Sequence, residues 1–136
     1  MTKNQFILIS IIAWGIGGIF TKLASNELTP VMMSIITTGI YMVALPIIVS
    51  VYKLKLAVSV AGFGYAIASS IGLGVGSLSY MFALQKGEAG STTAATAVYP
   101  VITMMLSFLF LSEEMTFKKA IGCMLAVTSV YLLTNK

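Results

Sequence analysis

Five side chains carry most of the chemistry that this sequence can offer: Trp14, Tyr41, Tyr80, Thr96 and Tyr99. Aromatic rings and hydroxyls bind amphipathic, uncharged or cationic solutes, and they do so without making or breaking covalent bonds. The side chains that usually run reactions are scarce. There is no histidine, and the one cysteine, Cys123, has no internal disulfide partner. A zinc site, a Cys–His nucleophile and a serine–histidine triad are therefore excluded on composition. The chain reads as a non-enzyme with no metal and no cofactor.

The candidate residues recur at helical spacing. At about 100° per residue, Ser10, Trp14, Gly17 and Thr21 fall within about 60° of one another. Ser34, Thr38 and Tyr41 form a second narrow stripe, with Thr37 at its edge. Thr92, Thr96, Tyr99 and Thr103 follow i, i+4, i+7, i+11 and form the clearest of the three. Hydroxyls can also hold helices to one another, but close helix packing favours small residues, and Trp14, Tyr41 and Tyr99 are large. Polar atoms facing lipid lack partners, so the stripes are expected to face protein or water and to line a shared pathway.

The elements that position these stripes must cross a bilayer. Of 136 residues, 58% are hydrophobic and only 9% are charged, against about 25% charged in an ordinary soluble domain. Twelve charges cannot cover a soluble body of this size. The charges instead divide the sequence into long uncharged intervals: Asn4–Thr21, Leu28–Tyr52, Leu56–Gln85, Ala89–Ser112 and Ala120–Asn135. A spanning helix needs about 20 apolar residues. The intervals therefore predict an all-α integral membrane fold of five transmembrane helices, approximately 5–24, 31–51, 59–84, 90–111 and 117–134. The third interval is too short for two spans and reads as one long or tilted helix that begins near Gly62–Gly64. The first and last are short enough to need lengthening by snorkelling of Lys22 and of Lys118 and Lys119.

The connections agree. Pro30 falls in the first turn of the second helix, where its missing N–H is harmless. Glu113 and Glu114 stand where negative charge favours the start of the fifth helix. No connection exceeds about eight residues, which leaves no room for an extramembrane domain. The opening segment contains Trp14 and three glycines and lacks an A-x-A site, so it reads as a retained span. Inside the spans, Pro46 and Pro100 each remove a backbone hydrogen bond and are expected to kink their helices. Gly72, Gly74 and Gly76 provide the G-x-x-x-G spacing that lets backbones approach, or a hinge. No strand precedes these glycines and no lysine follows, so they are not a phosphate loop.

Net charge is +4, but all eight basic residues are lysines spread along the sequence. The apolar composition already excludes a nucleic-acid binder, and the absence of arginine forks weakens that reading further. Lysines at span ends report orientation. Lys3, Lys53, Lys55, Lys118 and Lys119 lie on the N-terminal side, and Lys22, Lys86 and Lys136 on the other. The balance favours a cytoplasmic N-terminus by only two charges, which leaves insertion in both directions open. No span holds an embedded carboxylate, which disfavours proton coupling through one.

Order and spacing of several short motifs resemble the EamA-type domain of the drug/metabolite transporter superfamily over nearly the whole length. The resemblance is carried by Trp14-Gly15, then Lys22 and Pro30, by Pro100-Val101, and by Glu113-Glu114-Met115-Thr116 followed by Gly122. It implies that residues 1–136 are one five-helix EamA-like transmembrane domain in a cell membrane. Longer members hold two such units in inverted orientation and move metabolites, amino acids or drugs, usually outward. The family often has an arginine seven residues after the second-helix proline, where Thr37 stands here. The small multidrug-resistance proteins are a more distant likeness, since they have four spans and a first-helix glutamate.

One unit cannot readily enclose a pathway and gate both ends, so the expected form is a homodimer, antiparallel by preference, that exports a small amphipathic solute. The alternatives are half of a heteromeric transporter or lipid-carrier flippase, or a non-transporting membrane subunit that serves a partner.

Overall fold

The computed structural model describes residues 2–57 and 59–134. Met1, Val58, Asn135 and Lys136 lie outside the described residues, and so therefore does the lysine counted last on the second side. The described residues form α1 (Lys3–Glu27), α2 (Pro30–Tyr52), α3 (Val60–Lys86), α4 (Ala89–Thr96), α5 (Tyr99–Phe110) and α6 (Phe117–Thr134). Taking α4 and α5 as one span, five segments are long and apolar enough to cross a membrane. All five expected spans are present, with α3 as the long one.

Local chemistry fixes the helix starts. The Thr2 N–H donates to Gln5 Oε1 at 2.8 Å. Thr29 Oγ1 accepts from the Met32 N–H at 3.3 Å, with Pro30 at the first helical position. Ser59 Oγ accepts from the Gly62 N–H at 3.0 Å. At α6 the cap is Thr116, whose Oγ1 accepts from the Lys119 N–H at 3.3 Å. Glu113 and Glu114 are thus not the caps; Glu113 instead pairs with Lys119 at 3.9 Å, and both side chains are largely exposed. Such an exposed pair contributes about 0–1 kcal/mol. Two helices end on residues with positive φ, Lys53 (48°) after α2 and Ser112 (54°) after α5.

The fourth span departs from expectation. It is broken at Ala97 and Val98 into α4 and α5. Pro100 has no N–H for the Thr96 carbonyl, and its ring crowds that carbonyl. The same chemistry at Pro46 leaves α2 uninterrupted. The flanking sequences explain the difference. Pro46 stands among Val43, Leu45, Ile47 and Ile48, whereas α4 is Ala-Gly-Ser-Thr-Thr-Ala-Ala-Thr, and its hydroxyls compete for backbone carbonyls.

The chain divides into two compact units, Met1–Gln85 and Lys86–Lys136. The first holds the buried residues Ser25, Pro30, Met33 and Leu84. All four belong to the end where α1 finishes, α2 begins and α3 finishes. In the second unit α6 packs on α4 and on α5, and Cys123 Sγ on α6 lies 3.4 Å from Met104 Sδ on α5. Most large apolar side chains are exposed. In water that surface would oppose folding, but lipid tails are as apolar as leucine and impose no such penalty.

Candidate functional site

In the first unit, reciprocal capping ties α1 to α3. Lys22 Nζ donates to the Leu84 carbonyl at 2.6 Å. In return, Gln85 Nε2 donates to the carbonyls of Ser25 (3.3 Å) and Leu28 (3.1 Å). Each side chain satisfies carbonyls that a helix end leaves without donors, and the Lys22 charge also favours the negative end of α3. Lys22 thus reaches a backbone carbonyl of α3. It is engaged with Leu84, and α1 runs on to Glu27. Ser34 on α2 reaches α3 as well, with its Oγ 3.5 Å from Met81 Sδ.

Further along α1 and α3, Tyr80 comes close to Gly18. A Cβ built on Gly18 would lie 3.8 Å from the Tyr80 hydroxyl oxygen. Gly18 stands about one turn beyond Trp14 on α1. Trp14 is 70% exposed and Tyr41 on α2 is 59% exposed. Trp14 is on α1 and Tyr80 on α3, whereas Tyr41 lies on α2. Its helix also presents an open apolar groove along Ile36, Gly39, Ile40, Val43, Ala44 and Ile47.

In the second unit, Thr96 and Tyr99 flank the break in the fourth span. Tyr99 is 56% exposed. The Ala97 N–H is shared between the carbonyls of Thr93 (3.0 Å) and Ala94 (3.1 Å), and the Val101 N–H turns back to the Val98 carbonyl at 2.9 Å. Pro100 has no N–H to give. The carbonyls of Thr96 and Ala97 thus both lose their helical donors, at residues that are exposed. At 1.5 Å per residue the break lies about 12 Å along the span, within a hydrocarbon core about 30 Å thick.

Several hydroxyls of the three stripes bond within their own helices. Ser10 donates to the Phe6 carbonyl, Thr21 to Gly17, Ser34 to Pro30, and Thr37 to Met33, all at 2.8–3.0 Å. Thr96 donates to Thr92 (3.2 Å) and Thr93 (2.9 Å), and Thr103 to Tyr99 (3.3 Å). Each bonds its own helix one turn back, which satisfies its proton wherever that face points. A hydroxyl stripe alone therefore does not require protein or water opposite it. Backbone that has lost its helical partners does, because nothing in lipid replaces them. Sequence reasoning placed Pro100 in the span but missed the break in backbone hydrogen bonding at Ala97 and Val98. The Thr-Thr-Ala-Ala-Thr run before the proline was the available signal.

Gly72, Gly74 and Gly76 also lie uncovered. A Cβ at any of them would meet nothing within 4 Å, so the glycines accommodate no neighbouring side chain or backbone within the protomer.

The sequence matches the EamA-like transporter family over residues 2–135. The chain belongs to that family. An uncharacterised protein of Methanocaldococcus jannaschii is 31% identical over 127 residues, which cover 93% of this chain and 92% of that relative. No solved structure matches it. This EamA domain is a multi-pass membrane protein of a transporter family rather than of an enzyme family.

Proposed function

We propose that the protein exports a small amphipathic solute across the cell membrane as an antiparallel homodimer. The observation that carries this reading is the break in the fourth span of a transporter-family chain. Discontinuous spanning helices recur at the midplane binding sites of transporters, where non-helical backbone is tolerated only against protein or a water-filled cavity. Thr96 and Tyr99 beside the break contact the solute; Trp14, Tyr41 and Tyr80 are candidates of the first unit in their own right.

The dimer is supported by the uncovered glycine face on α3 and by the near-balance of lysines at the two sets of span ends. A small-residue face lets a second helix approach closely. A weak orientation bias permits the same chain to insert both ways and so supply an inverted pair. In cells, Trp14→Ala and Tyr99→Ala are expected to abolish export while membrane levels stay normal. Unchanged export in both variants would remove the site assignment.

A further inference from the structure

We infer that α1 is a shutter that closes on α3 by seating Trp14 against Gly76, and that the structure holds it in the open position. The closure does not depend on transport, and it is read without any solute.

The seam between α1 and α3 has a fixed register. Lys22 and Leu84 meet at a separation of 62 residues, and Gly18 and Tyr80 come together at the same offset. The two helices therefore run parallel and advance together. Both observed pairs step by four residues, which selects the i, i+4 ridges as the packing surface. One turn further from the Lys22–Leu84 tie, that register sets Trp14 opposite Gly76, and the next turn sets Ser10 opposite Gly72. The pairs also match in size. At one level a glycine of α1 faces the large Tyr80 of α3. At the next, the large Trp14 of α1 comes level with a glycine of α3.

This further part of the seam is open. A Cβ on Gly72 or Gly76 would meet nothing within 4 Å, and Trp14 is 70% exposed. α1 begins at Lys3, so Trp14 lies about 17 Å along it, near the middle of a hydrocarbon core about 30 Å thick. An indole N–H turned to lipid at that depth has no acceptor, and tryptophan otherwise gathers at the membrane interface. Against α3 the ring gains close packing on backbone that no side chain covers. The tie at the other end suits a pivot, because the Lys22 charge sits on a flexible four-carbon stem. Rocking about it brings the next level into contact.

Closure covers Trp14 and the glycine face together. A protomer with α1 docked has neither Trp14 open to a solute nor Gly76 open to a second copy. The open position is thus the one that the proposed dimer uses.

Trp14 is the one tryptophan of the sequence, so its emission in the purified full chain, held in lipid vesicles, reads this position directly. A nitroxide, which quenches tryptophan at short range, is attached to one introduced cysteine in a Cys123→Ser background. Gly72→Cys places the label one turn below the seat, and Gly74→Cys places it about 200° around α3. The label at position 72 is expected to quench Trp14 more strongly than the label at 74. Adding Gly76→Ile fills the seat and is expected to abolish the difference. Dilution with unlabelled Trp14→Phe chains is expected to leave the quenching unchanged, because label and ring share one chain. Equal quenching from the two positions overturns the inference, as does a difference that survives Gly76→Ile or is lost on dilution. If Gly76→Ile loses its helical content, the two labels and the dilution decide.

Discussion

Lys22 and Leu84 are 62 residues apart in sequence, yet the Lys22 ammonium donates to the Leu84 carbonyl at 2.6 Å. Leu84 is fully buried, so no water replaces that donor if the lysine is lost. Lys22→Met keeps the length and apolar stem but removes the charge and the donor. It is expected to destabilise the protein by about 1–3 kcal/mol, measured by thermal unfolding in detergent. Combined with Gln85→Leu, it should show coupling rather than simple additivity, because both side chains cap the same pair of helices. Strict additivity would mean that the two caps act independently.

Gly18 makes room for Tyr80, and the available distance sets how much. At 3.8 Å, a single added Cβ would sit in ordinary van der Waals contact with the Tyr80 hydroxyl oxygen. Gly18→Ala is therefore expected to be tolerated, with a gain of up to about 1 kcal/mol from helix propensity. Gly18→Leu must displace Tyr80 and is expected to impair solute transport far more than stability. Equal transport by the two variants would show that the position of Tyr80 does not matter.

Ser112 closes α5 with φ of 54°, a conformation that costs an L-residue roughly 1–2 kcal/mol. Ser112→Gly should raise stability by about 1 kcal/mol, and Ser112→Val should lower it. Both are read by the melting midpoint. Unlike the other positive-φ residue, Lys53, Ser112 carries no charge, so its substitution leaves the lysine balance intact.

The glycine face separates protomer folding from assembly. Because an added Cβ at Gly72 or Gly76 meets nothing within 4 Å, Gly72→Ile and Gly76→Ile start from open space at both positions. Helical content is expected to stay intact, while the proposed dimer, assayed by cross-linking or sedimentation in detergent, is expected to dissociate. An unchanged dimer would place the interface elsewhere.

The span count and helix ends were readable because charge is so costly in lipid that twelve charged residues mark where the chain meets water. The break in the fourth span was only half readable. Pro46 and Pro100 look alike in a hydropathy pattern, and only the hydroxyl competition in α4 distinguishes them. The stripes of Ser and Thr were legible as faces but not as hydrogen bonds. Sequence gives the face of a hydroxyl but not its acceptor, and here the acceptor is usually the carbonyl one turn back. Reciprocal capping by Lys22 and Gln85 was hidden for a different reason. It joins residues about 60 apart, and no periodicity along one helix reports such a contact.

The central claim is that this chain alone moves a solute, and flux through liposomes holding only the purified protein tests it most directly. Accumulation of at least one labelled solute from a broad amphipathic panel above protein-free liposomes, lost in Trp14→Ala and Tyr99→Ala, is the predicted result. Wild-type liposomes that move no solute from that panel, while the protein remains folded and membrane-inserted, would contradict the account.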